Sequence, residues 1–112
     1  MEIRQAAKIH LLPAELGLIK TAMRAYSYQI EGWKKRLFDI AFGRVLKSNG
    51  TLEMDGMEME YVTMALRKYG WFHFMNQRKE TAKIYFELAQ WIKEKKVEFQ
   101  QKNNPLKKAA SA

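Results

Sequence analysis

The stretch Glu58–Tyr69, EMEYVTMALRKY, decides the fold, because a weaker copy of it, ELGLIKTAMRAY, occupies Glu15–Tyr26. At one offset of 43 positions Glu15 matches Glu58, Ala22 matches Ala65, Arg24 matches Arg67 and Tyr26 matches Tyr69. Ile19 falls opposite Val62 and Met23 opposite Leu66. In both copies the apolar residues recur at three and four positions, the spacing that lays one stripe along a helix. Either the chain repeats itself over about 9–48 and 52–100, or helices sharing one period align by chance. A true repeat predicts an approximate two-fold axis, with Ala22 and Ala65 as the small residues that let the two helices approach.

Working outward, Pro13 with Glu15 two residues on is a helix start: the missing proline N–H would be unpaired there anyway, and the acid complements the helix dipole. That first helix carries Leu16, Ile19, Met23, Tyr26 and Ile30 on one stripe. Gly32 marks a break, being costly in a helix interior. From Trp33, Leu37, Ile40, Ala41 and Leu46 form one stripe and Phe38, Phe42 and Val45 a second, so this helix is expected to be buried on two sides or against a second subunit. Ser48-Asn49-Gly50 ends it. Asp55-Gly56 precedes the third helix, which carries Met59, Val62, Leu66 and Tyr69, widened by Met64, Ala65 and Phe72, and reaches about Met75. Asn76 is the expected cap of a fourth helix with Thr81, Ile84, Tyr85, Leu88, Trp91 and Ile92 on its stripe, running to about Gln100.

Residues before helix one are ambiguous. Ile3, Ala7 and Leu11 have helical spacing, yet Lys8–Leu11 also alternates as a strand would. Thr51–Met54 occupies the corresponding place in the second copy, so the two segments are candidates for a short β-ribbon. The fold class is therefore all-α: a four-helix bundle of two similar hairpins, Pro13–Lys47 and Met57–Gln100, as a single domain over 1–102. Asn103-Asn104-Pro105 stops the last helix, and 103–112 is expected to be a flexible basic tail.

With 112 residues, 47% of them hydrophobic, the chain suffices for one core and not for two. Having no cysteine, it lacks disulfides, thiolate metal sites and thiol nucleophiles, in keeping with a reducing compartment. No window approaches the ~20 apolar residues of a membrane span, so a cytoplasmic protein is expected. Neither histidine, His10 or His73, has a second ligand at helical spacing. No phosphate-binding glycine loop is present. These absences give no cofactor, metal, small-molecule substrate or catalytic constellation, and the expectation is a non-enzymatic binding protein. In size, basic charge and lack of a catalytic constellation it is similar to small regulators carried by bacteria and their phages.

Arg67-Lys-Tyr-Gly-Trp-Phe-His73 resembles the Arg–His spacing of HEPN ribonuclease domains, all-α domains of about this size. Arg4 and His10 have the same spacing. The resemblance implies RNA cleavage by an Arg–His pair across a dimer, although Lys68 stands where that family usually has a polar residue.

Two binding modes compete. Methionines concentrate around the acidic segment Glu53–Glu60, and Met54 and Met57, with Phe38 and Phe42 of helix two, are the candidate surface for self-association or a protein partner. This is the leading expectation. The alternative starts from the formal charge of +8, which attracts nucleic acid. Lys34, Lys35, Arg44, Lys47, Arg67, Lys68, Arg78 and Lys79 are the candidate phosphate contacts, with Tyr28, Trp33, Trp71 and Phe74 stacking on bases if exposed. Residues 1–49 hold nine basic and four acidic side chains, a net +5; residues 50–112 hold eleven and eight, a net +3.

Overall fold

The computed structural model describes residues 5–103. Arg4, Ile3 and the expected tail from Asn104 lie outside the described residues. The order of elements is β1 (Ala7–His10), α1 (Pro13–Ser27), α2 (Trp33–Lys47), β2 (Thr51–Met54), α3 (Gly56–Met75) and α4 (Lys79–Lys102). The molecule is thus mostly helical with a small two-stranded sheet, 50 Å long and 27 Å across.

Extended backbone prevails at Ala7–His10 because β2 supplies a partner. The strands run antiparallel with Ala7 opposite Met54, Ile9 opposite Leu52 and His10 opposite Thr51. Ile9, Leu52 and Met54 point into the core and the residues between them outward, the period of a half-buried strand.

Helix α1 begins at Pro13, as the start signal predicts. Leu12 has no side-chain acceptor, so Glu15 alone reaches back, its Oε1 accepting from the Leu12 N–H at 2.8 Å. Helix α3 has the full reciprocal cap: Asp55 Oδ1 accepts from the Glu58 N–H at 2.9 Å, and Glu58 Oε1 from the Asp55 N–H at 3.0 Å. α3 packs along α4 and against α1, and α1 packs on α2.

The core gathers Leu16, Ile19, Met23, Phe38, Val45, Met59, Val62, Leu66, Tyr85 and Ile92. Three expectations need correction. Ile40, Leu46 and Ile84 are exposed; of the expected stripes, Phe38, Ala41 and Val45 of α2 and Tyr85, Leu88 and Ile92 of α4 are buried, and Ala82 and Ala89 join them on α4. Ala82 and Ala89 are buried in place of Ile84 because close packing of α4 on α3 selects small residues. Asn76 does not start α4. Its Nδ2 donates to the Phe72 carbonyl at 2.7 Å, so it closes α3, and α4 opens only at Lys79 behind Arg78. Finally, α2 is buried on one side rather than two.

Candidate functional site

The last turns of α3 carry apolar residues all round the helix. Tyr69, Trp71, Phe72, Phe74 and Met75 cannot all face one core, and the structure divides them. Tyr69 turns inward with His73 to meet Tyr85 of α4: Tyr69 lies edge-on to Tyr85 with centroids 5.0 Å apart, and His73 stacks on Tyr85 at 5.4 Å. Trp71, Phe72, Phe74 and Met75 stay outside, Trp71 with 56% and Met75 with 74% of its surface exposed. Trp71 nonetheless leans edge-on against Phe86 of α4 at 5.6 Å and Phe74 at 5.4 Å. The exposed rings are therefore backed by a second aromatic layer and held in place.

The turn that follows is built from backbone bonds. The Arg78 N–H reaches the His73 carbonyl at 2.9 Å and the Gln77 N–H the Phe74 carbonyl at 3.0 Å, with Gln77 in the left-handed region at φ 62°. This folds Arg78 back over α3. Its guanidinium sits 5.5 Å from the Phe72 ring centre, and its Nε–H donates to His73 Nδ1 at 2.9 Å. Arginine only donates, so Nδ1 must be the unprotonated nitrogen. Burial, and then the Arg78 charge, push the His73 pKa below its usual value. Burial, and then Tyr69, raise that of Tyr85.

Basic residues surround this aromatic end. Arg67, Lys68, Arg78 and Lys79 are exposed, and among the described residues no carboxylate lies within ion-pair distance of them. Several other acids are engaged: Glu53 with Lys8, Asp39 with Lys35, Glu58 with Arg44, Glu60 with Lys96 and Glu87 with Lys83. The acidic segment at the start of α3 is thus largely neutralised within the chain, and positive charge remains at the other end of the helix. Glu80, in the first turn of α4, is the acid next to the patch in sequence. A groove of about 360 Å³ beside the patch is lined by Phe74, Ala82 and Phe86 with Lys79, Lys83, Glu87 and Gln90.

The other sequence-derived residues divide clearly. Met54 and Phe38 are fully buried and cannot form a docking surface: Met54 points inward from β2, and Phe38 packs on Tyr26 and Tyr61. Phe42 is half-buried beneath Arg24, and Met57 is exposed. Arg44 is committed to Glu58 at 2.9 Å, and Lys35 to Asp39 and the Ser27 carbonyl. Lys34 and Lys47 are exposed but do not share a face, since Lys34 lies one turn before buried Phe38 on the same side of α2. His10 donates to or accepts from Thr51. His73 is bonded to Arg78, not to Arg67.

Phe72 and Met75 belong to the exposed patch although the stripe pattern assigned Phe72 to the core. The density of aromatics over 69–75 was the available signal. Among the described residues no group of acidic, histidine or cysteine side chains could hold a metal ion, and no helix is long and apolar enough to cross a membrane.

Comparison of the chain with models of known families, with curated proteins and with solved structures finds no match in any of the three.

Proposed function

We propose that the protein binds single-stranded nucleic acid through the end of α3 and the start of α4. The observation that carries this reading is the coincidence of exposed, braced aromatic rings at Trp71, Phe72 and Phe74 with Arg67, Lys68, Arg78 and Lys79, which among the described residues have no acid within ion-pair distance. Bases stack on aromatic faces whatever their sequence, and cations neutralise the phosphates between them. Single strands are preferred to duplex because stacking needs an unpaired base face. The proposed role is binding.

The test is fluorescence anisotropy with labelled single-stranded DNA, RNA and duplex DNA at low and near-physiological salt. Binding of single strands that persists near physiological salt, and weakens linearly on a log–log plot, supports the reading. Absence of binding to all three probes rejects it.

A second reading, association with a protein, is favoured by Met75 and by the apolar groove of Phe74, Ala82 and Phe86. Aromatics, methionine and arginine are the residues enriched in interfaces. Light scattering of the protein alone, and of Trp71→Ala, separates self-association through this face from nucleic-acid binding.

A further inference from the structure

The offset of 43 positions read in the sequence recurs among structural features of the chain. Helices α1 and α3 begin at Pro13 and Gly56, 43 positions apart, and Glu15–Leu12 and Glu58–Asp55 make the same backward hydrogen bond at the same offset. In the ribbon Ile9 faces Leu52, again 43 positions on. In an antiparallel pair, a residue that faces its own counterpart marks a local two-fold axis. The cleft of about 190 Å³ between α1 and α3 repeats the pattern: Ala22 and Ala65, Tyr26 and Tyr69, and Gln29 and Phe72 line it as pairs, each separated by the same offset. Ala22 and Ala65 are fully buried, as close approach of two helices on an axis requires.

The same offset carries Arg67 and Trp71 back onto Arg24 and Tyr28. All four are exposed, Tyr28 with 85% of its surface, and each arginine lies one helical turn before its aromatic residue. Resting on the proposed function above, we infer that the nucleic-acid site is bipartite. Arg24 and Tyr28 form a subsite quasi-equivalent to that of Arg67 and Trp71, the two flank an approximate two-fold axis through the α1–α3 cleft, and one strand spans both. Lys68, on the rim of the cleft where the first copy has Ala25, contacts the phosphates between them. Strand direction reverses across such an axis, which stacking and point-charge contacts tolerate because neither reads polarity.

The copies are unequal in a way that fits this division. α1 stops at Ser27, whereas α3 continues for five residues beyond the corresponding Gly70, through Trp71–Met75. The second copy therefore has the larger stacking surface and forms the primary subsite. Charge complementarity, with both arginines free of acids among the described residues, selects an anionic occupant for the face.

The experiment titrates wild type, Tyr28→Ala, and Tyr28→Ala with Arg24→Gln against labelled oligothymidylates of increasing length. Wild type is expected to gain affinity in a step once the probe spans both subsites. Each first-copy variant loses about tenfold on long probes and nothing on short ones, and circular dichroism confirms that these surface changes leave the fold intact. Long-probe affinity equal to wild type in both variants overturns the bipartite site while leaving the proposed function standing. Failure of wild type to bind any length overturns both. A dimer that Trp71→Ala dissolves assigns the face to self-association and likewise overturns the inference.

Discussion

Arg44 of α2 holds its Nε 2.9 Å from Oε2 of Glu58 in the first turn of α3, joining the C-terminal end of one helix to the N-terminal end of the next. Each charge sits where its helix dipole favours it. Glu58 also accepts from the Asp55 N–H, so Glu58→Ala removes both contacts and is expected to cost about 1–3 kcal/mol. Among the described residues Glu15 has the corresponding backbone bond and no ion pair, and it lies less buried. Glu15→Ala is expected to cost under ~1 kcal/mol, and urea unfolding of the two variants checks the order.

Gly70 and Gly43 are both helical glycines, and opposite outcomes are expected on replacing them by alanine. A methyl group at Gly70 would stand 2.8 Å from Phe86 Cε1, in a ring already packed on Trp71. At Gly43 nothing lies within 4 Å. Gly43→Ala should therefore stabilise by about 0.5–1 kcal/mol through helix propensity alone. Gly70→Ala should destabilise despite the same gain, and should shift the Phe86 ring. Thermal melts followed by circular dichroism test both.

The contrast between what was legible in the chain and what was not has a physical basis. Pro13, Gly32 and Asp55-Gly56 act through backbone geometry and local hydrogen bonds, so their consequences are readable without knowing the partners of each helix. The inward side of α4 is another matter: Ala82 and Ala89 are buried while Ile84 is exposed, because α3 approaches closely enough to favour small residues, and that proximity is a tertiary fact. Met54 and Phe38 show the same limit, since an apolar side chain promises burial without saying whether its own chain or another supplies it. At the candidate site Trp71 and Phe74 were legible as candidate stacking residues. Phe72 was assigned to the wrong side because a helix apolar all round does not declare its inner face.

His73 links the turn after α3 to pH. In the native protein its pKa is lowered from 6.5 by burial and by Arg78, with Tyr69 and Tyr85 packed against the ring. Above about pH 6.5 the imidazole is neutral in both folded and unfolded chains, and the bond from Arg78 persists. As pH falls through 6.5 the unfolded chain takes up the proton first, so stability falls; it levels off only below the native pKa. Melting temperature should decrease from pH 7 to pH 5, and His73→Gln, which retains an acceptor without titrating, should show a shallower decrease.

Binding strength and salt dependence should separate at the patch according to the role of each side chain. Trp71 offers a stacking face and no charge, so Trp71→Ala is expected to weaken single-strand binding about tenfold while leaving the slope of log affinity against log salt unchanged. If the proposed function holds, Lys79→Ala removes one phosphate contact, and that slope should shrink by about one with a smaller loss of affinity. Arg78 combines both roles, since its guanidinium braces Phe72 and His73; Arg78→Ala should lower both affinity and slope, and should lessen the pH dependence attributed to His73 without abolishing it, because burial, the larger cause of the lowered pKa, remains. Lys35, held by Asp39 and the Ser27 carbonyl, serves as the control, and Lys35→Ala should change neither quantity. Equal losses at Lys35 and Lys79 would mean that binding follows net charge alone and that the aromatic end of α3 has no special part in it.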